Sequence, residues 1–239
     1  MIKIEPVAAF SDNYIWLLSD PASGQAVVVD PGDAAPVEAA LSERGLSLSG
    51  IMITHHHFDH VGGLAALKEA WSCTVWGPHN PSIEGIDVTL AEGEQVEILG
   101  LGYDIIEVPG HTMDHIAYFH GGEQSLLFCG DTLFAGGCGR VFEGTFPMMH
   151  ASLRKLAALP ADTRVYCAHE YTLANLAFAR AVEPENDALA QRIVEAEATR
   201  AQDKPTVPST LALELATNPF LRARQPELVA ALANSGKLE

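Results

Sequence analysis

Positive charge is scarce in this chain. Only 14 Lys and Arg stand against 31 Asp and Glu, a formal net charge of −17 over 239 residues. A surface this acidic repels phosphate backbones and anionic lipid, so neither nucleic acid nor a membrane is expected as a partner. Cysteine is scarce too. Cys73, Cys129, Cys138 and Cys167 form no CxxC pair, which argues against a disulfide scaffold in a chain of this length and leaves reduced thiols as the expectation. No stretch approaches the roughly 20 apolar residues of a membrane span. The opening "MIKIEPVAAFSDNYIW" lacks a long apolar region and a clear cleavage site, so the cytoplasm is the expected location, and a monomer the expected state. Repeats, heptads and low-complexity segments are also missing.

With 48% hydrophobic residues, the chain can bury one large core or a core with a smaller companion. "MIKIEPVAAF", "NYIWLLSD" and "QAVVVDPG" are short apolar runs separated by turn residues, the pattern of consecutive strands. "DAAPVEAALSERG" reads as a helix capped by Asp33 and closed by Gly45. "LSGIMIT" is a strand, "VGGLAALKEAW" a helix, and "CTVWG", "YDIIEVPG", "HIAYFHG" and "SLLFCGD" are further strands. "HASLRKLAALP" reads as a helix and "TRVYCAH" as a strand. Beyond His169 the pattern is helical throughout, with Pro breaks. This places a boundary near residue 170, between a mixed α/β (α+β) part over 1–169 and a helical part over 170–239.

Groups able to bind metal recur just after the strands. His55, His57, Asp59 and His60 follow "GIMIT", His111 follows "DIIEVPG", Asp131 follows "SLLFCG" and His169 follows "TRVYCA". Singly, each has a bland reading as a cap, turn or core residue. Loops leaving neighbouring strands at one sheet edge converge, so together these groups fit one site. Five imidazoles and two carboxylates exceed the four ligands of one tetrahedral zinc. They suit two divalent cations about 3.5–4 Å apart. Imidazole and carboxylate donors fit Zn first, with Fe or Mn as alternatives, and the lack of thiolate ligands argues against a structural Cys-rich site.

The T-H-x-H-x-D-H run, the later "GHT", the Asp of "GDTLF" and the His of "HEYT" resemble the signature of the metallo-β-lactamase superfamily. "FCGDTLFAGGCGRVFEGT", "RVYCAHEYTLANLAFARAVEP" and "VPSTLALELATNPFLR" are similar to the glyoxalase II (hydroxyacylglutathione hydrolase) family, over nearly the whole chain. The resemblance implies an αββα four-layer sandwich with a C-terminal helical subdomain that contacts glutathione. It implies that His55, His57 and His111 hold one metal, that Asp59, His60 and His169 hold the other, and that Asp131 bridges them. Asp59 and Asp131 would thereby be catalytic. The implied reaction is hydrolysis of S-D-lactoylglutathione to glutathione and D-lactate, by attack of a metal-bridging hydroxide on the thioester. It is the second step of methylglyoxal detoxification. The alternative is a persulfide dioxygenase-like reaction or another hydrolysis within the superfamily; a non-catalytic module keeping the fold would be expected to have lost ligands.

By the same resemblance Arg140 and Tyr171 meet the glutathione portion, and Phe142 stands where the family usually has an aromatic hydroxyl. Family members also carry basic residues near the C-terminus for the glycine carboxylate. No clear pair stands here, and Arg222, Arg224 and Lys237 are the candidates in their place. His56 and His115 are expected behind the metal ligands or in the loop and strand around them. His79, His120 and His150 are expected to be surface or structural.

Overall fold

The alternation of apolar residues in the first three strands serves two buried faces at once. In the computed structural model, which describes residues 1–234, Trp16, Leu18, Val27, Val29 and Met52 point into the space between two sheets. Their chain neighbours Ile15, Leu17, Ala26, Val28 and Ile51 point the opposite way, against helices. A strand buried on both sides needs this near-continuous apolar run.

The first half runs β1 (Lys3–Ala9), β2 (Asn13–Asp20), β3 (Gln25–Val29), α1 (Ala34–Arg44), β4 (Ser47–Met52), α2 (Phe58–Val61), α3 (Leu64–Trp71), β5 (Thr74–Pro78) and β6 (Val88–Leu90). Its six strands form one sheet in sequence order. The first two pairings are antiparallel and the last three parallel. Pro6 is accommodated because β1 is an edge strand. Helix α1 has the expected ends: Asp33 accepts from Ala35 N at 3.0 Å, and Gly45 closes the helix in the left-handed region.

The second half runs β7 (Gln95–Ile98), β8 (Leu101–Glu107), β9 (Ile116–His120), β10 (Leu126–Gly130), β11 (Leu133–Phe134), β12 (Gly137–Cys138), α4 (Phe146–Ala157) and β13 (Arg164–Cys167). It continues with α5 (Thr172–Val182), α6 (Asp187–Arg200), β14 (Ser209–Thr210), α7 (Leu211–Thr217) and α8 (Pro226–Asn234). The second sheet has the order β14-β13-β10-β9-β8-β7, and β11 with β12 makes a separate small hairpin. Helices α1 and α3 cover the first sheet, and α4 packs through Met149, Leu153 and Leu156 onto the core that holds the second. The four layers are therefore helix, sheet, sheet and helix.

Two expectations need correction. The part after His169 is not purely helical, because Ser209–Thr210 adds an antiparallel strand beside β13. Asp59 and His60 sit on the single helical turn α2 rather than in a loop. The short exposed strands β6 and β7 and the β11–β12 hairpin were not expected.

Candidate metal centre

The two sheets are joined where their strands end. Ile116 N–H donates to Thr54 O at 2.9 Å, and Tyr14 N–H donates to Ala168 O at 2.7 Å. Gly130 allows the closest approach: its φ is +46°, and a side chain there would strike Thr54 Oγ1 and the His115 ring. These contacts bring the segments after β4, β8, β10 and β13 to one place.

The seven expected ligands converge there. One nitrogen from each of His55, His57 and His111 lies within 4.8 Å of the other two, and Asp59, His60 and His169 form a second such group. Asp131 stands between the groups. Its Oδ2 lies 3.3 Å from His111 Nε2, while its Oδ1 lies 3.4 Å from His60 Nε2 and 3.3 Å from His169 Nε2. Asp59 Oδ2 is 3.5 Å from both His60 Nε2 and His169 Nε2.

These residues fit divalent cations. His55 Nε2, His60 Nε2 and Asp131 Oδ1 are buried polar atoms without a hydrogen-bond partner, a costly state unless another group binds them. His57 Nδ1 and His111 Nε2 lie 3.0 Å apart. Burial keeps the His55, His57 and His111 imidazoles below their ordinary pKa, and so neutral and able to donate a lone pair. Burial opposes ionisation of Asp131, but His60 and His169 outweigh it and hold the carboxyl well below the usual range. The first group is thus a set of neutral imidazoles. In the second, burial opposes protonation, but Asp131, with Asp30 and Asp59 at His60 and Asp12 at His169, outweighs it and raises both rings. Those rings supply positive charge that a bound cation would replace.

The far nitrogens of the ligands are fixed by residues that the strand-end pattern missed. His60 Nδ1 meets Asp30 Oδ2 at 3.0 Å, and His169 Nδ1 meets Asp12 Oδ1 at 2.8 Å. His111 Nδ1–H donates to Arg140 O at 2.7 Å. Thr54 donates both its N–H and its hydroxyl to Asp30 at 2.7 Å, and its Oγ1 lies 3.0 Å from His55 Nδ1. Asn13 Nδ2 donates to Asp59 Oδ2 at 2.9 Å. Such partners set each ring's orientation and tautomer. Asp30 also lies near His55 and His60, but its oxygens already accept from Thr54 and face His60 Nδ1, so it acts behind His60. The end of "VVVD" could have disclosed Asp30 by the strand-end rule; Asp12 and Asn13 carry no such signal.

The remaining histidines separate as follows. His56 meets Asp114 Oδ1 through Nδ1 at 2.9 Å and Glu143 Oε1 through Nε2 at 3.4 Å. His115 stacks on His55 with centroids 4.5 Å apart. His79 is exposed, and His120 Nδ1 lies 2.8 Å from Gly102 O.

Among the expected substrate contacts, Phe142 is 58% exposed, and its ring centroid is 5.6 Å from that of His57 and 5.3 Å from that of His111. The Arg140 guanidinium lies 5.1 Å above the Phe142 ring. Tyr171 stacks on His169 at 4.7 Å, and burial with the nearby Asp12 charge pushes its phenol up to about 12. Beside Arg140 a cavity of about 610 Å³ opens between Val141, Phe146, Met149, Leu153 and Phe220. Arg222 does not stand free for a substrate: its Nε and Nη2 donate to Glu183 at 2.9–3.1 Å. Arg224 is exposed, and Lys237 lies outside the described residues.

Both parts of the chain are similar to known proteins. The metallo-β-lactamase superfamily model matches residues 10–169, and a model described as the hydroxyacylglutathione hydrolase C-terminus matches residues 170–238. A hydroxyacylglutathione hydrolase of Pseudomonas paraeruginosa is 60% identical over 94% of this chain and 88% of its own length. One from Chromohalobacter salexigens is 52% identical over 100% of this chain and 94% of its own. Among solved structures, ETHE1 from Myxococcus xanthus superposes with a TM-score of 0.70 at 26% identity, covering 100% of this chain and 92% of its own. A protein solved in a di-iron-bound form gives 0.64 at 27% identity, covering 91% of this chain and 100% of its own. The chain belongs to the hydroxyacylglutathione hydrolase family of the metallo-β-lactamase superfamily.

Proposed function

We propose that this protein hydrolyses S-2-hydroxyacylglutathione thioesters, S-D-lactoylglutathione first among them, to glutathione and the free hydroxy acid. The observation that carries this reading is Asp131, whose two carboxylate oxygens face two separate histidine groups. In this reading His55, His57 and His111 hold one cation, Asp59, His60 and His169 hold the second, and Asp131 holds both. Bound there, two divalent cations would lower the pKa of a shared water and polarise a carbonyl. Zinc is the first choice, and iron or manganese suit the same donors.

The chain's own residues do the rest. Asp30, Asp12 and Arg140 O fix the ligand rings from behind, so little reorganisation accompanies reaction. Asp59 is the most solvent-exposed carboxylate of the cluster, its side chain 39% exposed; burial opposes its ionisation, but His60 and Asn13 outweigh it and keep the carboxylate charged for a cation. Arg140 and Tyr171 flank the cluster and would hold the carrier thiol, with the adjoining cavity taking its peptide portion. The departing thiolate has a pKa low enough to leave without a protein acid. No serine or cysteine nucleophile is needed: Cys73, Cys129 and Cys167 are buried, and burial pushes Cys138 up to about 12. The complete second ligand set supports hydrolysis over the oxygen-dependent alternative.

The test is hydrolysis of S-D-lactoylglutathione by purified protein before and after chelation. Turnover should disappear with the metal and return when zinc, iron or manganese is restored. A metal-replete protein that leaves the thioester intact would overturn the reading.

A further inference from the structure

We propose that Glu214, in α7, is a positioning residue that sets the 133–138 hairpin and thereby the place of Arg140 beside the metal centre. The inference rests on the reading of Arg140 as a contact for the carrier thiol. Glu214 is fully buried, and four donors converge on its carboxylate. Oε1 accepts from Arg192 Nη2 at 2.5 Å and from the Ser209 hydroxyl. Oε2 accepts from Gly136 N at 2.8 Å and Asn218 Nδ2 at 3.1 Å. Arg192 is itself 5% exposed and also donates to Thr217 Oγ1 at 2.6 Å. A buried ion pair of this kind is seldom the most stable way to fill a core, so its use in orienting something is the better account of it.

What it orients is backbone. Asn218 Nδ2 donates to Phe134 O at 3.1 Å and Gly137 O at 2.8 Å, and Asn175 Nδ2 donates to Ala135 O at 3.1 Å. With the Gly136 N–H on Glu214, the residues after 170 grip four consecutive hairpin positions. Gly136 has φ +69°, and a Cβ there would lie 2.8 Å from Leu176 Cδ2, so the tip is seated without slack. Both ends of the hairpin reach the metal centre. It leaves from Asp131, and it closes where Gly139 N–H donates to Thr132 O at 3.1 Å. The next residue, Arg140, receives the His111 Nδ1–H on its carbonyl. Side chains that never touch the reacting atoms thus hold the backbone from which the Arg140 side chain departs.

Glu214→Gln keeps the shape but turns one acceptor into a donor, facing four donors. The metal-loaded variant is expected to show a KM for S-D-lactoylglutathione raised about tenfold with kcat within about twofold, because a remote contact is lost rather than the chemistry. Exchange of the Gly139 amide, which is not itself bonded to Glu214, should become about tenfold faster. Asn175→Ala removes the bond to Ala135 O and the amide that packs against Gly137, from a half-buried helical site where alanine is favourable. It should raise KM about threefold, and it decides the matter should Glu214→Gln not fold. A folded variant with lowered thermal stability but unchanged KM and unchanged Gly139 exchange would make the cluster purely structural and overturn the proposal. If the wild-type protein turned over no thioester, the functional reading would fail alone. The Gly139 exchange rate would then decide the positioning claim.

Discussion

The backbone N–H of Asp131 donates to His115 Nε2 across 3.1 Å, so a histidine outside the ligand groups aims the carboxylate that stands between them. His115 Nδ1 lies 3.1 Å from Ile116 O, which fixes the tautomer with Nδ1–H donating and Nε2 accepting. Its ring lies nearly parallel to that of His55, at 12°. One buried side chain therefore holds both a member of the first histidine group and the carboxylate between the groups.

His115→Phe keeps the stacked ring and removes the acceptor. The Asp131 amide is then buried without a partner, which should cost about 1–3 kcal/mol in urea unfolding of the metal-free protein. Affinity for metal should fall about 10- to 100-fold, as when other supporting partners are lost. Competition against a chromophoric chelator measures it. Unchanged affinity would assign His115 to packing alone.

Asp30 separates the two proposed metal positions more sharply. It adopts φ 53°, a region that Asn also tolerates, so Asp30→Asn should leave the backbone in place. The variant loses a carboxylate from behind His60 while His111 keeps the Arg140 carbonyl. Metal analysis after dialysis should find the Asp59, His60 and His169 position weakened by about 10- to 100-fold, with the other retained more strongly. Equal loss from both positions would mean that Asp30 acts chiefly through Thr54 and His55.

The contrast between ligands and supports shows what a sequence can disclose. The convergence of the proposed ligands was legible because they follow β4, β8, β10 and β13 within a few residues, and strand ends on one edge converge. Asp30 lies 24 residues from Thr54 and 30 from His60, and it meets them only after the strands have packed. Asp12 lies 157 residues from His169. The ends of α1 were legible for the opposite reason, since Asp33 and Gly45 act on their own neighbours. Strands β6 and β7 have mostly exposed or half-exposed side chains and so show no apolar alternation. The hairpin residues of "LFAGGCG" are nearly all buried, which erases periodicity, and its partners come from α5 and α7. The pairing of Ser209–Thr210 with β13 was hidden because two residues are too few to read as a strand.

Arg140 offers a test in salt. The protein carries −17 overall, so an anionic substrate must be drawn by local positive charge against the general field. If attraction near Arg140 dominates, KM should rise with ionic strength as that attraction is screened. Arg140→Gln should raise KM about 10- to 100-fold at low salt, the loss of one charged hydrogen bond, with little change in kcat. The variant's KM should also respond less steeply to salt. A flat or falling KM in the wild type would show that the general repulsion governs encounter.

Phe142 stands where the family resemblance leads one to expect an aromatic hydroxyl, and the hydroxyl can be added. The ring is 58% exposed, its centroid 5.3 Å from that of His111, with the Arg140 guanidinium 5.1 Å above it. Phe142→Tyr adds an oxygen at an exposed edge, so stability should stay within about 0.5 kcal/mol. The ring's contacts with His57, His111 and Arg140 are unaltered, so the metal content should not change. If the ring borders the carrier thiol, the new hydroxyl gains a neutral hydrogen bond of about 0.5–1.5 kcal/mol. KM for the glutathione thioester should then fall about two- to tenfold at constant kcat, because the contact is made equally in ground and transition states. A KM that does not move would mean that the Phe142 ring does not border the carrier thiol.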